Sequence, residues 1–250
     1  LGGAPRFFVS FLGRAKKESR LPLQTYKPGI YAMSYFSARL IAYLTHPLLM
    51  LTYMLWMLLW INPYLFGILE WNDPNAHILL LRVFISSCFI PGIAVLMLRF
   101  TGLLSSIEMP EKQDRIAPFI ITGLFYIWLF RNFLDNTQIP VLFSSFTLGA
   151  TIALFLAFFV NIFSKISLHA LGMGGLLGAL GILTTRYPDY FFHRAGVPGK
   201  EYLLAAGLIV AGLTGSSRLF LGAHKPADVW GGYLIGLVAQ LLAARFLLMP

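Results

Sequence analysis

Apolar runs recur along this chain at about residues 37–61, 77–100, 116–130, 141–162, 170–183, 202–216 and 229–248, most of them near the length needed to cross a lipid bilayer and the 202–216 run short. A bilayer core of roughly 30 Å takes about twenty apolar residues in helical form. Inside it a backbone must satisfy its own N–H and C=O groups, which leaves helices or closed barrels. Runs of this length, rather than short alternating segments, predict an all-α fold: a polytopic transmembrane helical bundle of about six to seven spans. Composition agrees, because 58% hydrophobic and 12% charged residues give too little polar surface to cover a water-soluble globule.

The breaks between runs set the expected organisation. Pro47 and Pro91 fall inside the first two runs, where a proline is tolerated if neighbours satisfy the freed carbonyl, and His46 reads as a packed polar residue. Residues 131–140, with Asn132, Asp135, Asn136 and Pro140, read as a tight turn between two crossings rather than the kink of one long helix. Gly174 with Gly178, and Gly232 with Gly236, form small-xxx-small faces that let helices approach closely. Cys88 stands alone in an apolar run and reads as a small buried side chain. Residues 1–36 carry Arg6, Arg14, Lys16, Lys17, Arg20 and Lys27 among Phe7, Phe8 and Phe11. This segment reads either as an amphipathic stretch lying along an anionic membrane surface or as a flexible tail, with no cleavable signal peptide. Three regions result: residues 1–36 as that basic segment, 37–100 as two spans, and 101–250 as a catalytic helical domain. The net charge of +9 sits in short segments between spans, so anionic lipid or phosphate is the expected partner rather than nucleic acid.

If each run crosses once, the segments after the second, fourth and sixth spans share one membrane face. These are residues 101–115, 161–169 and 217–228, and the side chains suited to chemistry lie in them. The last carries Ser217 and Arg218, five residues, His224, three residues and Asp228. With a helix from Lys225 onward, Asp228 sits one turn from His224, where a carboxylate fixes the imidazole tautomer and frees its other nitrogen as a nucleophile. Arg218, read as loop, offers a planar fork for two phosphate oxygens. The second segment supplies Lys165, Ser167 and His169 just before a helix, so a hydroxyl, an imidazole and free N–H groups converge on one anion.

These residues resemble the type 2 phosphatidic acid phosphatase (PAP2) superfamily of membrane lipid phosphatases, whose fold is shared with vanadium haloperoxidases. That family carries K-x6-R-P, P-S-G-H and S-R-x5-H-x3-D. Ser217, Arg218, His224 and Asp228 match the third in full. The second is matched at Ser167 and His169, with Ile166 and Leu168 where the family has proline and glycine. The first departs in spacing, reading Lys112, Gln113, Asp114, Arg115, Ile116, Ala117, Pro118, so both Lys112 and Arg115 stand as candidates for its cation. The resemblance covers about residues 101–248.

The resemblance implies that His224 attacks phosphorus to form a phosphohistidine and that Asp228 stabilises its charge. It also implies that His169 protonates the leaving oxygen, and that Arg218, Lys112 or Arg115, Lys165, Ser167 and Ser217 hold the phosphate. No cofactor and no metal are implied. Because the motif segments adjoin span ends, the expected substrate is a lipid phosphate or diphosphate, of the phosphatidic acid, phosphatidylglycerophosphate, polyprenyl diphosphate or lipid A phosphate class. Alternatives are a phosphotransferase using the same phosphohistidine and a non-catalytic phospholipid-binding protein. Glu108, Glu111 and Asp114, spaced by threes, offer a further alternative, a Mg²⁺ site for a diphosphate. Thirteen of the nineteen Lys and Arg fall on the motif side, so the positive-inside rule places the site in the cytoplasm, in a bacterial inner membrane.

Overall fold

A computed structural model describes residues 30–107, 109, 111–188 and 199–249. The chain divides into two compact units, Leu1–Ser37 and Ala38–Pro250. Residues 1–29 of the basic segment lie outside the described residues, as do Glu108 and residues 189–198.

The described residues are all-helical: α1 (Ile30–Leu44), α2 (Met50–Ile61), α3 (Pro74–Phe84), α4 (Ile90–Phe100), α5 (Ile116–Asp135), α6 (Val141–Phe163), α7 (Leu168–Arg186), α8 (Lys200–Phe220) and α9 (Pro226–Leu247). Seven stretches are long and apolar enough to cross a membrane: Tyr35–Ile61, Pro74–Phe100, Gln113–Asp135, Val141–Phe163, Leu168–Arg186, Glu201–Phe220 and Pro226–Leu247. The chain is thus an integral multi-pass membrane protein. The turn expected after α5 is present. Asn136 accepts from the backbone N–H of Gln138 through Oδ1 (3.0 Å) and from that of Ile139 through its carbonyl (3.0 Å), which reverses the chain before Pro140 and α6.

The two internal prolines act differently. Pro47 does not sit within a continuous helix. His46 takes an extended conformation (φ −61°, ψ 133°), as a residue before proline prefers, and the first span breaks there into α1, a 3-10 turn over Pro47–Leu49, and α2. Pro91 is carried within the second span behind a π-helical turn over Ile85–Phe89. It cannot donate to Ser87, one turn earlier, and the Tyr126 hydroxyl from α5 donates to the Ser87 carbonyl at 3.4 Å instead.

The glycine faces meet each other. A Cβ on Gly232 would stand 2.6 Å from the Ser167 carbonyl oxygen, one on Gly236 would strike the Leu171 carbonyl, and one on Gly174 would strike the Tyr233 backbone. The starts of α7 and α9 therefore touch backbone to backbone, with α6 packed against α9 through Gly149 and the buried Gln240. Leu55, Leu58, Leu59, Phe66, Val83, Tyr126, Phe133, Phe143 and Leu183 form one core. Phe119, Ala157, Ile166, Leu171 and Ala239 form a second. Large apolar side chains such as Phe155, Phe159, Leu208, Leu234 and Phe246 face outward, as a lipid-solvated surface requires.

Candidate active site

Local backbone chemistry explains why Arg218, His224 and Asp228 come together. The structure corrects the expectation that Ser217 and Arg218 lie in a loop: α8 runs through Phe220, because Leu219 and Phe220 continue its apolar character. Gly222 ends it in the left-handed region (φ 64°). The N–H of Ala223 donates to the Arg218 carbonyl (3.2 Å) and that of Gly222 to the Leu219 carbonyl (3.0 Å), the paired bonds of a Schellman cap. Two residues later Lys225 caps α9, Pro226 opens it, and Asp228 in its first turn accepts the Lys225 backbone N–H on Oδ2 at 3.0 Å. The five-residue and three-residue spacings are thus one helix stop followed by one helix start. His224 lies just ahead of α9 rather than on it.

The His224 side chain is 5% exposed, and its Nδ1 lies 3.5 Å from Asp228 Oδ2. Nδ1 makes no hydrogen bond in this arrangement, and neither does the buried Nε of Arg218. Burial, and then the charges of Arg218, Arg115 and Lys165, pull the His224 imidazole down to about 4, against the pull of Asp228. The Lys165 ammonium is lowered by burial and by Arg115, while Asp228 and Glu111 oppose that shift. Three cations therefore act on the His224 imidazole, with Asp228 and Glu111 as the opposing carboxylates.

Three polar segments that parity placed on one face are joined here. The backbone N–H of Ser167 donates to the Asp228 carbonyl (3.1 Å), tying the start of α7 to the first turn of α9. Arg115, 8% exposed, donates from one terminal nitrogen to the Ile166 carbonyl (3.0 Å) and from Nε to the Met109 carbonyl (3.1 Å). Lys112 reaches the Phe163 carbonyl instead (3.0 Å) and is exposed. Of the two candidates in the first segment, Arg115 is the one whose charge acts on His224.

Each of the two serines makes one bond to nearby backbone. Ser167 is fully buried as the N-cap of α7, its Oγ facing the Ala170 N–H at 3.4 Å. Ser217 donates to the Thr214 carbonyl at 2.8 Å, one helical turn back. His169 sits in the first turn of α7, within electrostatic reach of Arg218 and His224, and its Nε2 lies 3.0 Å from the Ala42 carbonyl. Its ring meets that of His46 at 84°, with centroids 5.6 Å apart. The sequence gives no sign of this contribution from the first span beyond a polar residue beside a proline.

Of the three acidic residues spaced by threes, Glu108 lies outside the described residues. Asp114 bonds Ser105, Glu111 is exposed, and no group of three His, Cys, Asp or Glu suited to a metal ion occurs among those residues. His77 packs edge-on against Trp71. Comparison with family models, with characterised proteins and with solved structures finds no match for the chain.

Proposed function

We propose that this protein hydrolyses a phosphate monoester or diphosphate carried on a membrane lipid, without a metal, through a phosphohistidine at His224, in the manner of type 2 phosphatidic acid phosphatases. One observation carries the reading: a buried imidazole held neutral, backed by Asp228 at 3.5 Å, amid Arg218, Arg115 and Lys165. Three cations against Asp228 and the Glu111 that acts on Lys165 leave an excess of positive charge that a phosphate balances. A neutral imidazole is also the reactive form of a histidine nucleophile.

Nε2 of His224 attacks phosphorus in line with the lipid oxygen. The P–N bond forms as the P–O bond breaks, and His169, which takes up a proton once the substrate's negative charge offsets the cations around it, gives that proton to the departing alcohol. Asp228 stabilises the cationic ring, and the three cations neutralise the equatorial oxygens, where most of the barrier to phosphoryl transfer is lowered. Water then attacks the phosphohistidine, losing a proton to the now neutral His169, and inorganic phosphate leaves with His224 restored. The bias of Lys and Arg toward the motif side favours the cytoplasmic face of a bacterial inner membrane.

The test is phosphate release from a panel of lipid phosphates and diphosphates by purified protein, with His224→Ala as blank. At least one lipid is expected to be turned over by the native chain and none by the variant. Orthovanadate is expected to inhibit and EDTA to leave the rate intact. Unchanged turnover by His224→Ala refutes the reading.

A further inference from the structure

The first span carries none of the three motifs, yet it supplies two groups that touch His169. Pro47 forces the extended backbone of His46, and this break brings the last turns of α1 and the 3-10 turn against the start of α7. A Cβ on Gly172 would lie 3.0 Å from Met50 Cγ and 3.4 Å from Pro47 Cα, so the turn is seated closely. His46 Nδ1 accepts the Leu48 N–H at 3.4 Å, which requires that nitrogen to be unprotonated and places the ring proton on Nε2. The Ala42 carbonyl, which only accepts, holds Nε2–H of His169 at 3.0 Å. The proton that comes and goes on His169 is then the one on Nδ1.

We propose that His46 is a positioning residue, which together with the Ala42 carbonyl holds the His169 ring in one tautomer and one orientation. The inference rests on the phosphohistidine reading for its consequence, since a fixed Nδ1 is what a general acid and base requires. A ring standing at right angles to His169 blocks its rotation, while the carbonyl fixes which nitrogen stays protonated. His46 needs no contact with substrate to do this.

Two substitutions separate its ring from its backbone role. His46→Asn keeps an acceptor suited to capping the 3-10 turn but removes the ring, whereas His46→Phe keeps an aromatic ring and removes the acceptor. In lipid nanodiscs, His46→Asn is expected to lower kcat by roughly ten- to a hundred-fold with KM unchanged, the effect of a slightly misplaced catalytic group. His46→Phe is expected to retain most of kcat. A readout independent of turnover is the ¹⁵N spectrum of the histidine side chains, with His169 assigned by loss of its signal in His169→Asn. His169 is expected to show the Nε2–H tautomer in the native chain and in His46→Phe, and a mixture of tautomers in His46→Asn. Native kcat and an unchanged His169 tautomer in His46→Asn overturn the proposal. If no lipid phosphate is turned over by the native chain, the phosphatase reading fails, and the tautomer measurement still decides whether His46 and Ala42 hold His169.

Discussion

His224 is reactive only while its imidazole is unprotonated, so its environment sets the pH range of any chemistry it performs. Burial first, then Arg218, Arg115 and Lys165, bring it from 6.5 to about 4. Between those values the unfolded chain binds a proton that the folded chain does not. The group therefore costs stability as pH falls from 6.5 through about 4, and no further below. The acid limb of kcat/KM, which reports the free enzyme, is expected well below the ordinary histidine value. Lys165→Met removes one of the opposing charges, so protonation of His224 becomes easier and the limb moves to higher pH. A pH–rate profile on a short-chain lipid phosphate measures this, and an unmoved limb or a shift to lower pH contradicts it. Arg218 and Arg115 act in the same direction on His224, but Arg115 also holds the Met109 and Ile166 carbonyls. Lys165 makes the cleaner probe for that reason.

The connection from α8 to α9 turns a spacing into a geometry. Gly222 at φ 64° has nothing within 4 Å of where a Cβ would stand, so only backbone conformation opposes a side chain there. Gly222→Ala is expected to cost about 1 to 2 kcal/mol, the penalty of the left-handed region for an L-residue, seen as a lowered midpoint of thermal unfolding. Turnover should fall as well, because the same cap sets Arg218 against His224. A variant with native stability and rate would mean that the cap is dispensable. Part of this was legible beforehand: Ser217, Arg218, His224 and Asp228 stand out by their spacing. That α8 continues through Arg218 was not, since Thr214, Gly215, Ser216, Ser217 and Arg218 interrupt the apolar run before Leu219 and Phe220 end the helix. The local bonds of the serine hydroxyls are hidden in the sequence for a related reason. Both turn to nearby backbone, a local bond that competes with any ligand. The choice between Lys112 and Arg115 depended on how far each side chain reaches, which spacing does not encode.

The spans themselves were legible because a bilayer demands long apolar helices. Their mutual arrangement was only hinted at by paired glycines. In the assembled molecule that hint becomes the link between fold and site: α7 begins with Ser167 and His169, α9 begins with Asp228, and the same two helices meet at Gly174, Gly232 and Gly236. What the paired glycines did not reveal is the entry of the first span, because His46 and Ala42 reach His169 through a helix break rather than a repeating face. Since close packing and the candidate catalytic groups share one seam, stability and the proposed activity should be lost together there. In Gly236→Leu even the first side-chain carbon would collide with the Leu171 carbonyl and stand 2.6 Å from the Gly175 nitrogen, and backbone cannot yield as a flexible side chain does. Overpacking of this kind costs about 1 to 3 kcal/mol or more, and it would push the start of α7, with His169, away from Asp228. Gly231→Leu is the control, because nothing lies within 4 Å of its Cβ position one residue from the same seam. Thermal unfolding in detergent, followed by tryptophan fluorescence, is expected to fall for Gly236→Leu and stay native for Gly231→Leu, with phosphate release following the same order. A stable but inactive Gly236→Leu would show that the seam positions the site without holding the bundle together, and native behaviour in both respects would refute the close contact of α7 with α9.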